Sequence, residues 1–282
     1  MNVDAHQHFW RYDPREYAWI DERMSVLERD FLPGDLEPLI RRQGIDRTIA
    51  VQACQTTAET EWLLELAAAN PFIAGVIGWV DLQADDVEAR VERAARNRTL
   101  VGVRHVVQSE PDDGFLLRPA FGRGIATLAR HGLVYDLLIY PRHLPIASEF
   151  VGHFDNQTFV LDHLAKPDIR GRAIDSWARD LRRLARHPNV WCKVSGLITE
   201  AEWERWTARD LEPYLDVAFD CFGPARLIAG SDWPVCTLAG DYSRTMSVLR
   251  DYLARRTPAE RAAVLGGNAQ QVWKRGDFTE TR

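Results

Sequence analysis

Basic charge, cysteine and long apolar runs are all scarce in this sequence. Lys and Arg together number 35 against 41 Asp and Glu, a formal charge of −6. A nucleic-acid binder normally carries a basic face, so no nucleic-acid partner is expected. The four cysteines, Cys54, Cys192, Cys221 and Cys236, are far apart and form no Cys-x-x-Cys. Separately buried, reduced thiols are the expected state, as in a cytoplasmic protein. No apolar stretch approaches the ~18–20 residues of a membrane span. The amino terminus has no basic segment followed by an apolar run, so neither membrane insertion nor export is expected. No feature marks an oligomer contact.

What remains is ample for a large core: 282 residues, of which 46% are apolar. No Gly/Ser/Pro-rich linker divides them, so residues 1–282 read as one domain. Short β-rich runs centre near residues 3, 49, 75, 103, 135, 160, 192 and 228, and each is followed by a helical pattern. The first helix spans Asp35 to Gly44, with Gly44 as a left-handed C-cap. Others run from Glu59 to Asn70, Asp85 to Asn97, Arg118 to His131, His143 to Gly152, Ile174 to Arg186, Arg209 to Cys221 and Ser243 to Arg255. In a last helix Thr257 caps, Pro258 opens the first turn and Glu260 completes a capping box. Trp10 to Phe31 reads as a long loop, a kind that is often functional. Eight strand–helix units over this length predict a (β/α)8 TIM barrel, an α/β fold. An open doubly wound sheet is the alternative, but no glycine-rich phosphate turn opens any helix.

In such a barrel the chemistry lies just past the C-terminal ends of the strands. The first strand ends in His6-Gln7-His8, and residues two apart on a strand point to one face. Gln52 and Gln55 follow the second strand, Arg104 and His105 end the fourth, and Asp136 lies in the fifth. Asp162, His163 and Lys166 follow the sixth, Lys193 and Ser195 the seventh, and Asp232 the eighth. Singly, each has an ordinary explanation: His163 as a hydrogen-bonded structural histidine, Asp232 as a turn cap, Lys193 as a solvated side chain. Together, His6, His8, His163 and Asp232 offer three nitrogens and one oxygen. That set suits one divalent ion of the zinc type with a position left for water.

The motifs Asp4-Ala5-His6-Gln7-His8-Phe9-Trp10, Gly102-Val103-Arg104-His105, Leu161-Asp162-His163-Leu164-Ala165-Lys166-Pro167, Lys193-Val194-Ser195-Gly196-Leu197 and Gly230-Ser231-Asp232-Trp233-Pro234 resemble the amidohydrolase superfamily. They are similar in particular to its "amidohydrolase 2" branch of sugar-lactone and dicarboxylate-lactone hydrolases. Gly267-Asn268-Ala269 adds to the likeness, which runs from Asp4 to about Trp273. The resemblance implies a lactonase that opens a sugar-acid lactone of the L-fuconolactone or L-rhamnonolactone type. It implies His6, His8, His163 and Asp232 around a metal, with Asp232 as the proton-transfer carboxylate. Relatives with two metals use a carboxylated lysine from strand four; Arg104-His105 stands there instead, so one ion is expected. The branch includes members that work without a required metal.

His163, Lys166 or Arg104 is expected to stabilise the oxyanion, and Lys166 alternatively to hold a substrate hydroxyl. Trp10, Gln52, Arg104, His105, Lys166 and Trp233 are the expected substrate contacts. Trp191 also lies near a strand end, and core packing is an equal explanation for all three tryptophans. One strand-end arginine fits a neutral, hydroxyl-rich ring better than a dicarboxylate, unless Arg142, Arg170 and Arg172 fold inward. A 2-pyrone-4,6-dicarboxylate-type lactone hydrolase and a metal-dependent decarboxylase are the competing readings.

Overall fold

The computed structural model describes residues 1–279. Eight parallel strands follow one another around the sheet in sequence order. They are β1 (Val3–Gln7), β2 (Arg47–Val51), β3 (Ile73–Gly78), β4 (Leu100–His105), β5 (Val134–Leu137), β6 (Phe159–Leu161), β7 (Val190–Val194) and β8 (Leu227–Ala229). The helices α1 (Pro33–Arg42), α2 (Thr57–Ala69), α3 (Val87–Ala95), α4 (Pro119–Arg130), α5 (Leu144–Val151), α6 (Asp175–Leu184), α7 (Ala208–Phe222) and α8 (Tyr242–Leu253) alternate with them. The fold is the expected (β/α)8 barrel. Among the described residues, no helix is long and apolar enough to cross a membrane.

Strands covered on both faces need apolar side chains on both, which is why they read as near-continuous hydrophobic runs. The lumen is filled by small and β-branched groups such as Ala5, Ile49, Ile77, Val101, Val160 and Ile228. Trp273 packs with this set and plugs it from the tail. A larger cluster lies between strands and helices. Sequence punctuation works as anticipated at Gly44, where φ is +59° and Ile45 N–H bonds back to Ile40 C=O. The tail begins with α9 (Pro258–Ala262), capped by Thr257 with Glu260 reaching back, and ends with α10 (Asn268–Val272). Asn268 donates to the carbonyls of Pro224 and Leu227, tying the tail to β8.

The segment from Trp10 to Phe31 is more ordered than a loop reading suggests. Trp10 and Phe31 exchange two backbone hydrogen bonds that close it at its base. A 3-10 run spans Glu22–Leu27, capped by the Asp21 carboxylate.

The barrel closes between β1 and β8. Asp232 N–H donates to His6 C=O at 2.8 Å, and His8 N–H to Trp233 C=O at 2.7 Å. Gly230 allows this approach: a Cβ there would stand 2.8 Å from the His6 Cβ.

Candidate active site

The seam between β1 and β8 is where the candidate ligands meet. His6 Nε2 and His8 Nε2 lie 3.1 Å apart, as the same-face spacing requires. Asp232 Oδ1 stands 3.4 Å from His8 Nε2, 3.7 Å from His6 Nε2 and 3.8 Å from His163 Nε2. All four residues expected around an ion therefore converge. Three imidazoles and a carboxylate are a donor set that a zinc-type ion accepts. The second contacts fit as well: His8 Nδ1–H donates to Val51 C=O at 2.7 Å, leaving Nε2 its lone pair. His163 Nδ1 meets the Ser195 hydroxyl at 2.9 Å.

Unusual backbone presents two of these side chains. His163, Leu164, Ala165 and Lys166 all have φ between 51° and 59°, and Asp232 has φ 59°. Left-handed backbone costs L-residues roughly 1–2 kcal/mol each, a strain that surrounding structure sustains mostly at functional sites. Gly196 (φ +66°) leaves room for this turn, since a Cβ there would lie 2.6 Å from His163 Nδ1.

Burial keeps the three histidines neutral near pH 7. It lowers His8, and it lowers His6 further with the adjacent Lys193 charge. His163 falls to about 4, again mainly through burial. Burial alone would raise the Asp232 carboxyl, but His163, His8 and His6 outweigh it and hold the group below the usual carboxylate range. The site thus pairs an ionised carboxylate with three neutral imidazoles, the protonation states that binding a cation requires.

Below lies a fully buried charge network. Lys193 is not solvated, contrary to the simplest expectation. It is 0% exposed, with Nζ 2.5 Å from Asp136, 3.0 Å from Asp162 and 3.1 Å from His6 Nδ1. Burial raises Asp136 to about 7 despite Lys193, whereas Lys193, His6 and Arg104 hold Asp162 low against its own burial. Arg104 donates to Asp162 at 3.0 Å and to the Gln52 side chain at 2.9 Å, and also bonds the Gln52 carbonyl. Its Nη1 lies 3.3 Å from His6 Nε2.

Above the constellation opens a cavity of about 300 Å³ that reaches His8, Arg104, His163, Lys166 and Asp232. Several expected substrate contacts do not line it. Trp10 is 0% exposed, packs on Phe31 and donates its indole N–H to Arg29 C=O. Trp233 is buried against Phe9 and Phe31. Gln52 sits behind Arg104 and orients it. His105 stacks on Phe115 and pairs with Glu110 at 2.7 Å. Trp191 lines a separate cavity with Gln157 and Lys274. Arg142, Arg170 and Arg172 pair outward with Asp113, Glu202 and Asp210. The aromatic wall of the cavity is instead Trp19, with Glu16, both from the segment after Trp10. The only sequence signal for them was the length of that segment.

The family model described as amidohydrolase matches residues 3–275. The chain belongs to the amidohydrolase family. Among curated members it is 43% identical to an L-fucono-1,5-lactonase of Burkholderia multivorans, over 97% of this chain and 96% of that one. It is 41% identical to an L-fucono-1,5-lactonase of Burkholderia ambifaria, with the same two shares covered. A crystal structure of an amidohydrolase from Burkholderia multivorans with bound zinc superposes with a TM-score of 0.94 at 43% identity. That match covers 97% of this chain and 99% of the other.

Proposed function

We propose that this amidohydrolase hydrolyses the ring ester of a neutral sugar-acid lactone of the L-fuconolactone or L-rhamnonolactone type. One observation carries the reading. A carboxylate oxygen lies within 3.8 Å of three imidazole nitrogens at the floor of a cavity of a sugar's dimensions. Kinship with L-fucono-1,5-lactonases at 41–43% identity supports the substrate class.

His6, His8, His163 and Asp232 would hold one divalent ion, and zinc bound in such a set lowers the pKa of its water to about 7. Asp232 takes the proton as the water oxygen bonds to the lactone carbonyl carbon. Lys166, at the cavity wall, stabilises the negative charge on the carbonyl oxygen; a preorganised donor of this kind contributes roughly 3–4 kcal/mol. The bond from the carbonyl carbon to the ring oxygen then breaks, and Asp232 returns its proton to that oxygen. The product is an open-chain hydroxy acid. Arg104 is committed to Asp162 and Gln52, and Glu16 adds negative charge at the wall. Both features disfavour a dicarboxylate ring.

Four unpaired thiols fit a cytoplasmic enzyme. A panel of sugar-acid lactones read by a pH indicator, with metal analysis of the same sample, tests the proposal. Acid release from neutral deoxysugar lactones is the expected result. Turnover confined to dicarboxylate lactones, or CO2 release from aromatic acids, overturns it.

A further inference from the structure

Glu59 takes no part in this chemistry, yet it is buried to 7% exposure next to the cavity. It sits in the first turn of α2, where Thr56 caps the helix by accepting from Glu59 N–H at 3.1 Å. A surface carboxylate in a first turn interacts with the helix dipole without losing its water, so capping does not explain burial. The side chain turns back under the β2–α2 connection. There it accepts from Ala53 N–H at 3.1 Å and from Cys54 N–H at 2.9 Å. From the other side the Tyr17 hydroxyl donates to Oε1 at 3.5 Å.

Those partners belong to two different walls. Ala53 and Cys54 line the cavity on the β2 side, while Glu16 and Trp19 flank Tyr17 and line it on the other. A second tie joins the walls where Cys54 Sγ meets Glu16 C=O at 3.7 Å. The Tyr17 and Trp19 rings both pack against Trp10, with centroids 5.8 Å away, so tethering Tyr17 also sets where the half-exposed Trp19 stands.

We infer that Glu59 is a positioning residue that fastens both walls of the substrate cavity to one point on α2. This rests on the proposed lactone site. Held walls spare the substrate the entropy of ordering them on binding. The reacting groups come from β1, β6 and β8 and do not depend on the clasp, so its loss weakens binding rather than bond-making.

The test compares Glu59→Gln and Tyr17→Phe by kinetics on the lactone panel and by amide hydrogen exchange. Glu59→Gln should raise KM about tenfold, because its amide NH2 replaces one of the two oxygens that accept from the Ala53 and Cys54 amides, with kcat within about twofold. Tyr17→Phe should raise KM about threefold, because its bond is long. Exchange should quicken in residues 13–20 and 52–56 together in Glu59→Gln, and in 13–20 alone in Tyr17→Phe. An unchanged KM, a fall in kcat at constant KM, or quickening confined to 52–56 in Glu59→Gln overturns the inference. If Glu59→Gln does not fold, Tyr17→Phe decides alone, unchanged exchange and KM counting against it. If no lactone is opened, the proposed function fails while the exchange experiment still judges the clasp.

Discussion

Asp4 Oδ2 accepts a 2.6 Å hydrogen bond from the Ser231 hydroxyl, although 227 residues separate the two. Asp4 Oδ1 accepts from Ser231 N–H at 2.8 Å, and the Tyr242 hydroxyl adds a third contact at 3.0 Å. This lock sits two residues before His6 and one before Asp232, so the barrel seam and the ligand geometry are set together. A barrel can close with many side chains at its last joint. Here the joint is polar and fully buried, and every partner of Asp4 is a donor, which fixes register more tightly than apolar packing would.

Replacing Asp232 by Asn should cut lactone turnover by about 10²–10⁴, the usual contribution of a positioned general base. Its backbone bond to His6 C=O does not involve the side chain, so the fold should survive. Circular dichroism and the indicator assay on the same sample check both halves. Near-normal turnover removes Asp232 from proton transfer.

Lys193→Met should cost stability rather than simply lose a contact. It leaves Asp136 and Asp162 buried with one neutralising partner fewer, a change of about 3–5 kcal/mol. Adding Asp136→Asn should recover part of the loss, because the orphaned charge is then gone. Urea denaturation of the single and double variants measures this, and a single variant as stable as wild type refutes the account.

The sequence was most readable where function repeats a local geometry. His6 and His8 share a face by strand alternation, and strand ends in a barrel point to one place, so the convergence of the four residues is legible in the sequence. Partners chosen by tertiary contact are not. Lys193 looks like any lysine near a strand end until Asp136 of β5 and Asp162 just past β6 meet it. Trp10 and Trp19 differ in no local signal, yet one is core and the other cavity wall. Glu59 carries the pattern of a first-turn acid, and only the return of the chain past Tyr17 gives it a second role.

Zinc uptake should depend on His8. After dialysis against a chelator, the wild type is expected to take up about one equivalent, and His8→Ala to bind at least tenfold more weakly, since even indirect supporting partners cost about 10–100-fold. Titration calorimetry and elemental analysis read this without reference to turnover. Equal uptake by both proteins excludes His8 from the donor set.

Glu59 also gives stability a pH dependence of known sign. Burial raises its carboxyl from 4.5 to about 7, its bonds to Cys54 and Ala53 only partly opposing that. Between those values the folded chain holds a proton that the unfolded chain has released, so stability falls as pH rises. The favourable state is complete below pH 4.5 and lost by passage through about 7. The shift corresponds to about 3 kcal/mol. Glu59→Gln has nothing to titrate at this position and should lack that slope. Wild-type minus variant unfolding free energy, measured by urea at successive pH values, should therefore decline by about 3 kcal/mol across this window. A flat difference would mean that Glu59 is ionised throughout, its carboxylate fully compensated by the Ala53 and Cys54 amides.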